Sequence, residues 1–399
     1  MPTAAAAAID LLPFTAQPVF TLPDRWYARV PWLLLAIAAA LVLLGHVGIA
    51  RAEALDGSDG SFLARQRVWS VVAAAALVLA ALPNYRVLCR FSFWIYAASL
   101  VLLLLVFLWP PINGAQRWLR FGPVSLQPSE FAKIACVLAL ARYLMYRESQ
   151  RRLSGFLAPL LLAVVPSVLI LREPDLGTAL VFPPLVAAML FAAGARLADL
   201  AKLALAGLLI APLMWTQMSR EQRSRVTALF EQPPPGVRPS DDAYHLYQSK
   251  QVMALGGVWG SWLTGDATDD QAAYRLPESH SDFVFSVLGE RLGLLGNAGV
   301  LLLYVLLLWQ ALAIAVASRE PFGRLVACGI AILFGVQALI NTGMTVGLLP
   351  ITGMSLPLVS YGGSGLVAHA IALGLLVNIA MRPGFELAKE PFSFQRELC

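Results

Sequence analysis

Carboxylates placed where apolar runs begin are the side chains in this sequence best suited to moving a proton. Asp282 closes the segment PESHSDF (277–283), immediately ahead of a long apolar stretch. A carboxylate at a helix N-terminus is stabilised by free backbone N–H groups. Asp282 is therefore either a helix cap or an acid–base group at the mouth of a cavity. Glu290 lies eight residues on, about 12 Å along a helix, too far to share a proton with it. Glu290 and Arg291 form a buried or an interfacial pair. His280 is either an ordinary loop histidine or a proton acceptor.

The segment QPSEFAK (127–133) reads as a helix start, with Pro128 in the first turn and Ser129 as N-cap. Glu130 and Lys133 then share a face and can pair. The pair is either a local salt bridge or a functional one, because charge within a membrane span is costly and normally has a partner or ligand. Arg117 and Arg120 suit interfacial anchoring or the grip of a phosphate. In REPDLGT (172–178), Arg172 meets a neighbouring carboxylate, Glu173 or Asp175, or an anionic ligand, and Thr178 is a candidate cap for the next helix. Gln248 and Lys250 lie in YHLYQSK (244–250), a stretch that suits an interfacial helix or a hydroxyl-rich ligand. Residues 341–365 are rich in glycine, with Pro350 and Pro357. They read as an irregular segment, tolerated at membrane depth only under cover of protein or a cavity. Ser360 offers a hydroxyl there, but no GxSxG elbow is present to make it a hydrolase nucleophile.

These groups must be positioned by lipid-embedded helices. Of 399 residues, 58% are hydrophobic and 13% charged, whereas soluble domains carry roughly 25% charge. About ten runs could span, near 30–50, 66–82, 91–110, 130–147, 155–171, 178–194, 199–215, 290–316, 324–347 and 364–381. With the N-terminus inside, the inner segments hold 15 basic residues and the short outer ones six, as the positive-inside rule requires. The expected architecture is an all-α polytopic membrane protein with about ten transmembrane helices. Tails at 1–29 and 382–399 are cytoplasmic, the membrane domain covers 30–381, and a long extracytoplasmic loop at 217–281 joins helices 7 and 8. The polar segments then face outward. The net charge of +5 reads as lipid orientation rather than nucleic-acid binding. Four cysteines without a CxxC pair and four scattered histidines make no metal site.

Taken in order, NGAQRW (113–118), QPSEFAK, PDLGT (174–178), YQSK (247–250), LPESHSDFVFSVLGERLGLLGN (276–297), NTGMTVGLLPITG and PLVSYGGS (341–364) resemble one family. It is the SEDS family, named for shape, elongation, division and sporulation. The likeness spans roughly 90–381 and leans to the elongation branch (RodA) over the division branch. The stretch Ser261 to Ala273 departs from the pattern, being more acidic than the basic, glycine-rich one usual there.

The resemblance implies a peptidoglycan glycosyltransferase that polymerises lipid II on the outer face of the bacterial cytoplasmic membrane. The family's essential aspartate matches Asp282, and Glu130 with Lys133 match a supporting pair. Its usual partner is a class B penicillin-binding protein, alongside other elongation-complex proteins. The acceptor hydroxyl needs a base, and the lipid diphosphate needs positive charge. Arg117, Arg120, Arg172, Arg223 and Lys133 are candidates for that charge. A divalent cation, magnesium or manganese, would assist at the diphosphate; no other cofactor is expected. A lipid flippase or transporter and a non-enzymatic scaffold are the competing readings.

Overall fold

The computed structural model describes residues 26–57, 59–110, 116–122, 124–145, 153–230, 241–268 and 271–382. Most of both expected tails therefore lies outside the described residues, as do Asn113 to Ala115 and Pro233 to Pro235. Three long apolar helices come first, α1 (Trp32–Asp56), α2 (Ser61–Ala81) and α3 (Tyr85–Val106). The carboxylate of Glu53 accepts from the backbone N–H groups of Phe62 (2.6 Å) and Leu63 (3.3 Å), so the end of α1 satisfies donors at the start of α2. A short hairpin, β1 (Leu119–Phe121) and β2 (Val124–Leu126), pairs Leu119 with Leu126. It leads into α4 (Pro128–Leu144).

Next come α5 (Leu157–Arg172), α6 (Leu176–Ala179), α7 (Phe182–Ala192) and α8 (Leu197–Gln217). The run expected as one helix over 178–194 is thus divided between α6 and α7. Pro183 and Pro184 at the head of α7 lack the N–H groups that would continue the hydrogen-bond ladder from α6. The described residues of the 217–281 segment include three helices, α9 (Arg220–Thr227), α10 (Asp241–Leu255) and α11 (Ser261–Thr264). The chain closes with α12 (Val284–Ala317), α13 (Pro321–Val346) and α14 (Gly363–Met381).

Helix occupies all ten expected segments, with ends moved by a few residues. Those of α1, α2, α3, α12, α13 and α14 are long and apolar enough to cross a membrane by length and composition; α5 and the α6–α7 pair are shorter apolar helices. Apolar on every side, α14 is mostly buried, whereas α2 is mostly exposed, as expected of a central and a lipid-facing helix. Glycine permits the tightest approach between them. A Cβ on Gly374 would stand 2.4 Å from the Leu77 carbonyl oxygen, so side chains there would push the helices apart.

At one end of the bundle, polar side chains join α1 to α12 and α2 to the segment after α13. Arg51 near the end of α1 meets Glu290 near the start of α12, and Gln66 of α2 donates to the Ser360 carbonyl. Gly177 of α6 lies against Thr352, beyond the end of α13. Residues 347–362 are irregular, and Thr352, Met354, Leu356, Leu358, Val359 and Ser360 are nevertheless buried. The covering helices make such backbone tolerable.

Candidate active site

Asp282 sits one residue outside the helical cap. The N-cap of α12 is Phe283, so the Asp282 carboxylate does not serve as a cap. Glu278, in the left-handed region at φ 52, turns its carbonyl to accept from the N–H groups of Ser281 (3.2 Å), Asp282 (3.1 Å) and Phe283 (3.3 Å). Strained backbone of this kind persists only where its surroundings hold it. The Asp282 carbonyl accepts from the side-chain amide of Asn341 (2.9 Å), which also donates to Met354 (2.6 Å). One buried amide thereby ties the aspartate loop to the irregular segment after α13.

The surroundings make Asp282 a weaker acid. Burial pushes its carboxyl up to about 7, the negative charges of Glu278 and Asp175 add to that, and Arg225 and Arg117 oppose it. A Cβ on Gly353, at φ +68, would lie 3.4 Å from Oδ2 of Asp282 and 3.5 Å from Nη1 of Arg225. Gly353 therefore lines the space beside both the carboxylate and the guanidinium.

The PDLGT loop forms the adjoining wall. Asp175, not Thr178, is the N-cap of α6: it accepts from the Thr178 N–H (3.1 Å) and hydroxyl (2.9 Å), and from Gln127 (3.2 Å). Arg117 donates to the carbonyls of Glu173 (2.9 Å) and Pro174. It clamps the loop while leaving its charge within range of Asp282. Glu173 is fully buried with both carboxyl oxygens unpartnered. Burial, then Asp175, pushes its carboxyl up to about 8, against the opposing charge of Arg117.

Glu130 and Lys133 form a buried salt bridge of 2.8 Å. The cap of α4 is Gln127 rather than Ser129, whose hydroxyl is buried without a partner, like Oε2 of Glu130 and the hydroxyl of Ser364. His369 of α14, its ring nitrogen 3.0 Å from Gln337, adds a polar neighbour to this pair. Glu290 pairs with Arg51 through two hydrogen bonds of 2.9 and 2.7 Å, and not with Arg291. The local spacing favoured the adjacent arginine, but the packing of α1 on α12 brings in one 239 residues away.

Several expected site residues lie elsewhere. Arg172 and Arg120 are exposed. Arg223 donates to the carbonyls of Trp215 (3.1 Å) and Thr216 (2.8 Å) at the end of α8; Arg225, two residues on along α9, is the one beside Asp282. The His280 ring stacks on Phe62 at 4.2 Å between centroids and meets Tyr361 edge-on. Its backbone carbonyl accepts from Tyr361. The Ser360 hydroxyl bridges the Leu356 N–H and the Ser281 carbonyl, so it holds the aspartate loop from behind. Gln248 is buried and donates to the Ala273 carbonyl (2.7 Å). Lys250 lies across Gly347, the left-handed cap of α13. Sequence reasoning missed Arg225, Asn341 and His369. Gly353 was marked as a glycine allowing tight backbone, but its place beside Asp282 was not, and nothing local marked Asn341 within the same segment.

Among the described residues, no three His, Cys, Asp or Glu side chains gather as a metal would require. The oxygens of Asp175 are engaged by Thr178 and Gln127, and Glu278 accepts from the Ser281 hydroxyl (3.0 Å).

Long apolar helices enclosing a half-buried carboxylate, two arginines and irregular backbone at one end of the bundle define a multi-pass membrane protein with a polar site at that end. The chain belongs to the FtsW/RodA/SpoVE family of cell cycle proteins, whose model matches residues 28–383. It is 34% identical to a probable peptidoglycan glycosyltransferase FtsW of Geobacter metallireducens, covering 91% of this chain and 98% of that one. A protein of the same name from Thioalkalivibrio sulfidiphilus is 37% identical, with 87% of each covered.

Among solved structures, a chain from a peptidoglycan synthase complex, described as coordinating polymerization and crosslinking, superposes with a TM-score of 0.76. Its identity is 33%, with 88% of this chain and 97% of that chain covered. The rod shape determining protein RodA of Thermus thermophilus gives a TM-score of 0.67 at 31% identity, over 91% of this chain and all of that one. These curated relatives carry the division-branch name and this solved relative the elongation-branch name. The expected lean toward the elongation branch is therefore not distinguished by these matches.

Proposed function

We propose that this chain is a peptidoglycan glycosyltransferase of the bacterial cytoplasmic membrane, with Asp282 as its general base. The observation that carries the reading is a half-buried carboxylate held at about 7 beside Arg225, within a family whose relatives bear that activity in their names. A base poised near neutrality serves both protonation states of a catalytic cycle. The acceptor sugar's hydroxyl loses its proton to Asp282 as its oxygen bonds to the anomeric carbon of lipid II. The bond from that carbon to the lipid diphosphate breaks in the same displacement, inverting the centre. The leaving diphosphate carries its own negative charge and needs cations rather than an acid. Arg225 is the nearest candidate, with Arg117 behind it. A divalent cation, magnesium or manganese, would enter with the diphosphate and share its charge.

The excess of basic residues in the short loops of one side supports an extracytoplasmic site, with ten spans and both termini cytoplasmic. A class B penicillin-binding protein is the proposed partner, supported by the likeness to a chain of a complex that couples polymerization to crosslinking. The test supplies lipid II to the purified chain with its synthase partner, crosslinking being blocked by a beta-lactam. Wild type should give glycan polymer, and Asp282→Ala, folded and partnered, should give none. Equal polymer from both would remove Asp282 as the base. Transbilayer movement of lipid II with no covalent product from wild type would favour a transporter instead.

A further inference from the structure

The loop between α10 and α11 packs into a break in α12. Gly293 leaves the helical region there (φ 73, ψ −171). The N–H groups of Leu294 and Leu295, freed by the break, are taken up by the carbonyls of Gly257 (2.9 Å) and Val258 (3.4 Å). Residues 256–263 are thus bonded to α12 at a depth where irregular backbone needs such partners. Between this loop, α1 and α12 runs a cavity of about 400 Å³, lined by Leu44, Val47, Trp259, Trp262, Leu292 and Gly296 among others.

Four observations say what would fill it. The lining is almost wholly apolar. The opening is continuous with lipid-facing surface, since Leu43, Leu263, Leu294, Leu295 and Leu302 are all exposed. Leu44 and Val47 stand seven and four residues before Arg51 along α1, so the lining lies roughly 6–10 Å deeper than the Arg51–Glu290 layer. At the rim, the Arg291 guanidinium lies 4.8 Å from the Trp262 ring centroid and 3.5 Å from the Ser261 hydroxyl. No carboxylate pairs with Arg291 among the described residues, the nearby Glu290 and Asp266 being engaged by Arg51.

We propose that this groove is a binding site for an anionic phospholipid, with the acyl chain along Leu44, Val47, Trp259 and Trp262 and the headgroup phosphate on Arg291. An unpaired cation above an apolar slot at headgroup depth matches the two ends of such a lipid. A guanidinium can hold phosphate with two hydrogen bonds, and indole rings favour that interface. The polyprenyl diphosphate of a substrate shares this chemistry. The groove's opening to lipid-facing surface, and its position beyond Glu290 from Asp282, favour a bilayer lipid.

The test compares the wild type with Arg291→Gln and Arg291→Lys in nanodiscs, using brominated phosphatidylglycerol, brominated phosphatidylcholine or undecaprenyl diphosphate. Retained lipid is counted by native mass spectrometry and tryptophan quenching is read in parallel, with Trp259→Phe/Trp262→Phe as the quenching control. Wild type should retain phosphatidylglycerol about fivefold over phosphatidylcholine, the preference one basic residue near the interface gives. Arg291→Gln should lose that preference, Arg291→Lys should keep most of it, and the double tryptophan variant should lose the extra quenching. Equal retention of the two phospholipids by wild type, or an unchanged preference in Arg291→Gln, would overturn the assignment. So would retention of undecaprenyl diphosphate with no preference for phosphatidylglycerol.

Discussion

The side-chain amide of Asn341 donates to the carbonyl of Asp282 at 2.9 Å and to that of Met354 at 2.6 Å. The two segments that form the walls of the site are thereby fixed to each other through one group. Asn341→Ala leaves both carbonyls short of a donor, at about 1–3 kcal/mol for an unsatisfied buried group. Polymer formation should fall at least about tenfold, with a modest loss of thermal stability. Initial rates and a melting curve on the same preparation check this. A fall in stability with full activity would show that the tie does not position the aspartate.

Asp282 gives opposite signs for rate and stability. Its carboxyl is raised from 3.8 to about 7 in the folded chain. The folded state therefore binds the proton more tightly than the unfolded state, and its contribution to stability is lost as pH rises from about 4 through 7. The rate should rise across the upper part of that window, as the base form appears. Asp282→Asn should abolish polymerisation and flatten this part of the stability profile, measured by thermal unfolding between pH 4 and 8.

The neighbours of Asp282 should move that profile in opposite directions. Arg225 opposes the upward shift and Glu278 adds to it. Arg225→Gln should move the rising limb of the rate–pH curve to higher pH, and Glu278→Gln to lower pH. Arg225→Gln should also slow the reaction at saturating pH if the guanidinium meets the leaving diphosphate. A curve unmoved by either change would mean the limb does not report Asp282.

Glu130 and Lys133 should behave as a coupled buried pair. Lys133→Met strands a carboxylate that already has one unpartnered oxygen, and breaking such pairs costs about 3–5 kcal/mol. Adding Glu130→Gln should restore much of the lost stability. A double-mutant cycle by thermal or denaturant unfolding reads the coupling directly, and additive effects would rule the pair out as a unit.

Glu173 should act as a neutral acid at pH 7. Its carboxyl is raised from 4.5 to about 8, so its stabilising contribution is present at low pH and lost as pH climbs from about 4.5 through 8. Glu173→Gln should be close to silent at pH 4 and increasingly stabilising from pH 6 to pH 9, measured by the melting temperature. Strong destabilisation at pH 6 would mean the carboxyl makes an interaction an amide cannot replace.

Features set by neighbours in the chain were legible without the fold. Apolar runs long enough for a bilayer marked the ten helical segments, because backbone in lipid must close its hydrogen bonds within a helix. Glu130 and Lys133 pair because three residues along a helix place side chains on one face, whatever surrounds them. Asp282 stood out because it directly precedes an apolar run. The divided helix at 176–192 was missed even though Pro183 and Pro184 marked it.

Tertiary structure alone decided which groups from distant segments meet. Arg225 rather than Arg223 stands beside Asp282, because the two residues differ by about 200° around α9 and the docking of α9 selects the face. Glu290 takes Arg51 across 239 residues rather than the adjacent Arg291, and Asn341 reaches Asp282 from the end of α13. His280, whose type suited proton transfer, is turned onto Phe62 and Tyr361. Such meetings depend on how helices of similar composition rotate and cross. Their apolar faces are nearly uniform, so that choice falls to glycine contacts such as Gly374 on Leu77, and to buried polar pairs, once the whole bundle has closed.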